Sequence, residues 1–359
     1  MTLLLTVIVV ALVFEFINGF HDTANSVAAV VGTRVLTPTQ AIGLAAVTNL
    51  CGALAGTAVA TTVGQGLVDA HCVTGVTLIC GLLGAILWNL ITWRLGLPSS
   101  SSHALIGGLI GSAVASAGNN WNVVIWSAPV AGKPWYAWGG VLYKVIIPMF
   151  SSPILGFVVG FLWITLLYIL LSRCRPSSIN KAFSKLQILS AAFLGFSHGS
   201  NDAQKTMGIV ALALFSATTI GDLTHLPSWL QFLHTPEFKI ALWVKLACAF
   251  TMAAGTATGG RRIIKTLGRK VSRLQQINGF AADTTSATVL MTTAAFGMPV
   301  STTNAVSTSI MGVGTARNHK AMKWHVVESI IWTWVMTLPA TGLLAYALRR
   351  IFLALGSGA

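Results

Sequence analysis

Apolar stretches recur along the chain at about 1–17, 39–63, 73–95, 138–172, 182–196, 203–219, 239–258, 275–297 and 324–347. A membrane-spanning helix needs ~20 mostly apolar residues, so this rhythm predicts an all-α polytopic membrane protein with about 10–12 transmembrane segments. The stretch 138–172 exceeds one span and holds Pro148 and Pro153, which predicts either two segments or one kinked helix. Met1 to Ile17 is apolar from its first residue and runs into polar residues instead of a cleavage site, so it reads as the first spanning helix. Trp121, Trp126, Trp135 and Trp138 cluster between apolar stretches, as an interfacial aromatic belt does.

Composition sharpens this picture. The 359 residues are 54% hydrophobic and only 8% charged, with a mean hydropathy of +0.76, whereas soluble domains carry about 25% charged residues. Soluble domains, disordered chains and disulfide scaffolds are excluded, and the lipid bilayer is the first partner. Cys51, Cys72, Cys80, Cys174 and Cys248 show no C-x-x-C and no zinc-type spacing, so no metal site is expected from them.

The net charge of +14 does not point to nucleic acid, because the bases are grouped between spans. One group is Arg173, Arg175, Lys181 and Lys185. A second is Arg261, Arg262, Lys265, Arg269, Lys270 and Arg273, and a third is Arg317, Lys320 and Lys323. Basic connections stay cytoplasmic, which predicts a multi-pass protein of the cytoplasmic (inner) membrane with both chain ends outside. The run 173–185, with Pro176-Ser177-Ser178, is expected to be a cytoplasmic linker between halves 1–172 and 186–359.

The halves carry the same motifs in the same order. Gly96-Leu97-Pro98-Ser99-Ser100-Ser101-Ser102-His103-Ala104 aligns without gaps on Gly297-Met298-Pro299-Val300-Ser301-Thr302-Thr303-Asn304-Ala305. Earlier in each half, Asn18-Gly19-Phe20-His21-Asp22-Thr23-Ala24-Asn25 aligns on His198-Gly199-Ser200-Asn201-Asp202-Ala203-Gln204-Lys205. Two ordered pairs of polar motifs in a hydrophobic chain predict a duplicated transporter architecture.

Each pair has its own chemistry. Asp22 and Asp202 are two of only eight carboxylates, and both lie in apolar surroundings. An ionised side chain there costs about 2.5–3.5 kcal/mol even on the lenient insertion scale. Each follows a glycine and has a polar residue three positions later, Asn25 or Lys205, which predicts a broken helix whose free carbonyls join the carboxylate around a cation. Helix capping is the plainer alternative. In the Pro-Ser/Thr motifs a proline ends one helix and hydroxyls open the next. Free N–H groups and hydroxyl donors then converge at a positive helix end, which suits an anion.

The strings Gly19-Phe20-His21-Asp22-Thr23-Ala24-Asn25, Ser197-His198-Gly199-Ser200-Asn201-Asp202, Pro98-Ser99-Ser100-Ser101-Ser102-His103 and Pro299-Val300-Ser301-Thr302-Thr303 closely resemble the inorganic phosphate transporter (PiT) family over nearly the whole chain. The resemblance implies a secondary transporter, not an enzyme, built as two inverted repeats with two re-entrant hairpins, and a homodimer. It implies no cofactor; the cargo is phosphate, alone or as a divalent metal complex, with a proton or sodium ion. It places phosphate near Ser100, Ser101, Ser102, Ser301, Thr302 and Thr303, and cation coupling at Asp22, Asn25, Asn201 and Asp202. Asp283 falls where sodium-driven relatives carry a glutamate, and Asn49 in a segment where they carry another.

Two departures from the sodium-driven pattern stand out: Lys205 replaces an amide, and His21 an asparagine. An ammonium at Lys205 can take the place of a sodium ion, which favours proton coupling; the alternative is a purely structural pair with Asp202. Candidates for a proton relay are His21, His103 and Glu15, the last two helical turns before Asp22. The expected function is import of phosphate by proton symport with alternating access. Sodium symport, or sulfate transport on the same scaffold, are the alternatives.

Overall fold

The computed structural model describes residues 1–132, 134–221, 223, 226–259, 275–317 and 324–356. The basic run 261–273, together with Lys320, Lys323 and the side chain of Arg317, lies outside the described residues. Its helices are α1 (Thr2–Gly32), α2 (Pro38–Ala53), α3 (Ala58–Gln65), α4 (Gly75–Leu95), α5 (Ser101–Ser116), α6 (Ile147–Leu170), α7 (Pro176–Ile220), α8 (Leu242–Thr258), α9 (Gln276–Ala295), α10 (Thr302–Arg317) and α11 (Trp324–Ala354).

Among the described residues, five of these are long and apolar enough to cross a membrane alone, and α2 with α3, bent by 70°, makes a sixth. The remaining helices are short, as α5 and α10 are at 16 residues each, or line a polar interior. The stretch 138–172 is one helix entered through a π-turn at Leu142–Ile146, with Pro153 inside it.

The main correction concerns α1 and α7. Neither is broken at its motif: α1 runs unbroken through Asp22, and α7 is a single 45-residue helix through Asp202. It absorbs the apolar stretches 182–196 and 203–219 and begins at Pro176, so most of the expected linker 173–185 is its first turns. Neither motif contains a proline, the residue that forces a helix to end. Their glycines serve close approach instead. A Cβ on Gly19 would lie 2.4 Å from the carbonyl oxygen of Met252 on α8, and one on Gly199 would lie 2.1 Å from that of Asn49 on α2. Small residues let helix backbones touch in this way in membranes.

The two polar turns are alike in detail. Gly96 and Gly297 take left-handed φ values of 69° and 63° after α4 and α9. Leu97 N–H donates to the Thr92 carbonyl and Met298 N–H to the Thr293 carbonyl, both at 2.9 Å. Each turn thus folds the chain back into a hairpin, α4–α5 and α9–α10. Helix α5 packs on α11 and α10 on α6; α1 packs on α8 and α7 on α2. Two apolar cores result. One gathers the first half of α1, α3–α5, the second half of α7 and α8; the other gathers the second half of α1, α2, α6, the first half of α7 and α9–α11. The motifs meet in a polar layer between them.

Candidate functional site

Helices α1 and α7 run antiparallel, as shown by contacts between Glu15 and Thr206 and between Thr33 and Gln187. This brings Asp22 against His198 and Asp202, all three buried, with one ligand-type atom from each within 4.8 Å of the others. His198 Nε2 lies 3.2 Å from Asp202 Oδ2, and its Nδ1 lies 3.2 Å from Asn49 Oδ1. Two carboxylates and an imidazole at this spacing can hold a cation or share a proton. His198 stands in the second motif with no role evident from the sequence alone. Its signal was the i,i+4 spacing to Asp202, visible only once the helix is known to be continuous.

The hairpin tips close over this cluster. Lys205 bonds Asp202 and Ser102, and donates to the Val300 carbonyl at 3.0 Å. An ammonium has three donors, and Lys205 spends one within α7 on Asp202 and the other two on the two tips. Thr302 Oγ1 donates to Asp202 Oδ2 at 3.1 Å. Ser102 Oγ donates to the Val300 carbonyl at 3.2 Å, tying tip to tip. From α1, Asn25 Nδ2 donates to Thr303 Oγ1 at 2.9 Å. Asp22 reaches the first tip through His21, whose Nδ1 is 2.8 Å from Asp22 Oδ1 and whose Nε2 is 3.4 Å from Thr92 Oγ1, itself 2.7 Å from Ser99 Oγ.

The hydroxyls at the tips divide by task. Ser100 Oγ accepts from His103 N–H, and Ser301 Oγ from Asn304 N–H, each at 3.2 Å. Both are N-caps. Ser101 Oγ is buried and has no hydrogen-bond partner, like His103 Nδ1 and both amide atoms of Asn201. Buried polar groups are nearly always satisfied, so the unpartnered Ser101 and His103 in the first turn of α5 mark a place for a polar ligand.

The structure therefore gathers Asp22, Asp202, Lys205, Asn25, Ser102, Thr302 and Thr303 into one network. One of the sequence candidates, Asp283, stands apart, whereas Glu15 borders the network next to Lys205. Asp283 on α9 accepts from Ser190 Oγ at 3.3 Å, twelve residues and about 18 Å along α7 from Asp202. Glu15 is fully buried and bonded through one oxygen to Thr206, while its Oε1 has no partner.

An all-helical membrane bundle whose polar centre joins two hydroxyl-bearing helix starts to two buried aspartates defines a membrane transport protein. The Phosphate transporter family matches residues 18–345. A "Probable low-affinity inorganic phosphate transporter" of Bacillus subtilis is 40% identical over 98% of this chain and 99% of its own. Another so named, from Rhizobium meliloti, is 40% identical over 96% and 94%. A solved structure titled "The sodium-dependent phosphate transporter" superposes with a TM-score of 0.80 over 99% of this chain and all of its own, at 22% identity, and shares the fold. The chain belongs to the phosphate transporter family, whose members are transporters and not enzymes.

Proposed function

We propose that this protein imports inorganic phosphate across the cytoplasmic membrane by proton-coupled symport, working by alternating access as a homodimer of chains built from two inverted repeats. The observation that carries the coupling is the placement of Lys205, bonded at once to Asp202 and to both hairpin tips. A fixed ammonium beside the carboxylates supplies positive charge without a sodium ion.

In this reading phosphate, free or as a divalent metal complex, enters between the tips. It takes the amides at the starts of α5 and α10, Ser101 Oγ and the hydroxyls now engaged by Lys205 and Asn25. Asp22, His198 and Asp202 take up the coupling cation. Neutralisation is required because a bare anion crossing hydrocarbon pays a prohibitive desolvation cost. Breaking the tip-to-tip contact then lets the hairpins part toward one side or the other.

Sodium symport is a second reading, favoured by the two carboxylates in the Asp22–His198–Asp202 cluster. Uptake of labelled phosphate into proteoliposomes, with proton and sodium gradients imposed separately, tests both. Accumulation driven by a proton gradient in sodium-free buffer is expected; accumulation only with sodium overturns proton coupling. Excess sulfate that abolishes uptake would reassign the substrate.

A further inference from the structure

A cleft of about 560 Å³ lies against the second hairpin turn, walled by Thr61, Thr62 and Gln65 of α3, by Phe296 and Gly297, and by Lys144. Lys144 is the one charged residue among the described residues that line it. The π-turn Leu142–Ile146 that opens α6 aims this side chain inward, leaving it 8% exposed. Its Nζ donates to the Phe296 carbonyl at 2.8 Å, just past the end of α9. The other N–H donors of the ammonium have no acceptor among the described residues beyond that carbonyl.

The cleft's position gives this lysine meaning. Its lining also includes Gly66 and Ala137, in the connections after α3 and after α5. These are tied together by Asp69 N–H donating to the Val123 carbonyl at 2.9 Å. They lie at the opposite end of α6 from Arg173 and Arg175, and basic connections are cytoplasmic, so these connections, and the cleft they line, lie on the outer side. Gly297 in its lining is three residues from Val300, whose carbonyl Lys205 holds.

We infer that the cleft is an entry subsite for an inorganic oxyanion, with Lys144 as the receiving cation and as the latch that holds the second hairpin. The inference rests on the phosphate-import reading. An anion arriving in a low-dielectric cleft is drawn to its lone positive charge. Oxyanion oxygens are stronger acceptors for an ammonium than a neutral carbonyl, so the anion draws Lys144 away from Phe296. The end of α9 then loses its side-chain anchor, and the tip beside Lys205 is free to shift. Arrival of substrate is thereby coupled to release of the hairpin.

The test is uptake of labelled phosphate in proteoliposomes by the unmodified protein, Lys144→Gln and Lys144→Arg. A second measurement uses Thr62→Cys in a background with Cys51, Cys72 and Cys174 replaced by serine, labelled from outside with a small charged thiol reagent. With Lys144→Gln the half-saturating phosphate concentration rises about tenfold while the maximum rate changes far less, and Lys144→Arg restores it to within about twofold. Phosphate protects the thiol at position 62 when Lys144 is present. An unchanged half-saturating concentration, or a fall in maximum rate alone, overturns the entry role. If Lys144→Gln does not insert, lack of protection of position 62 by phosphate in the Lys144 background overturns it. Failure of the unmodified protein to take up phosphate refutes the import reading instead, so the two failures are distinguishable.

Discussion

Lys205 bonds Ser102 across the polar layer, from the motif helix of the second half to the hairpin tip of the first. The aligned residues of the other halves, Asn25 and Thr303, make the aligned contact at 2.9 Å. Each motif helix thus holds the opposite hairpin, by a neutral amide at one crossing and by an ammonium at the other, which also bonds Asp202 and the Val300 carbonyl. That difference is where the chemistry of this chain departs from strict duplication.

Replacing the ammonium tests its role. Lys205→Asn leaves Asp202 buried with His198 and Thr302 as its remaining partners. Removing one member of a buried pair costs about 3–5 kcal/mol, so the variant's unfolding temperature in detergent falls. Proton-driven uptake is lost, and a sodium gradient restores part of it. Uptake that gains no sodium dependence would count against the ammonium as a stand-in for that ion.

The paired aspartates carry a second prediction. Asp22→Asn and Asp202→Asn each keep the size of the side chain but remove the charge that faces His198 within the cluster. Both variants insert and fold, yet gradient-driven accumulation drops at least a hundredfold. Full accumulation by both would refute the cluster as the coupling site.

The tip serines divide into two that cap helices and one whose hydroxyl has no hydrogen-bond partner. Ser100→Ala and Ser301→Ala each lose an N-cap bond, costing about 1 kcal/mol of stability with a modest effect on apparent affinity. Ser101→Ala loses no protein hydrogen bond; it leaves thermal stability unchanged and raises the half-saturating phosphate concentration about tenfold. Thermal unfolding beside concentration-dependent uptake distinguishes the two classes.

Helix crossing is tested at the motif glycines. Gly199→Ala places a methyl 2.1 Å from the Asn49 carbonyl oxygen and forces α7 away from α2, with a cost of about 1–3 kcal/mol or more. Because Asn49 also contacts His198, transport falls with stability. Gly43→Ala, where an added Cβ meets nothing within 4 Å, leaves both unchanged.

Apolar runs of spanning length, with few charges, forced a helical membrane protein, because unsatisfied backbone polar groups cannot be left in hydrocarbon. The Gly-x-Pro turns were equally legible, since a left-handed glycine and a proline that cannot continue a helix act locally at 96–98 and 297–299. The matched motifs also named most of the residues that meet at the centre. What local reasoning could not supply was the behaviour of α1 and α7 at Asp22 and Asp202. Glycine next to aspartate reads as a break when seen alone, yet the glycines are small to admit Met252 and Asn49 from helices hundreds of residues away or in the other half. Only tertiary packing decided that the helices continue, and with that it placed His198 one turn from Asp202, set Asp283 apart, and gave Lys205 two tips to hold. Proximity between segments distant in the chain is fixed by which backbones can approach, and no periodicity within a segment records it.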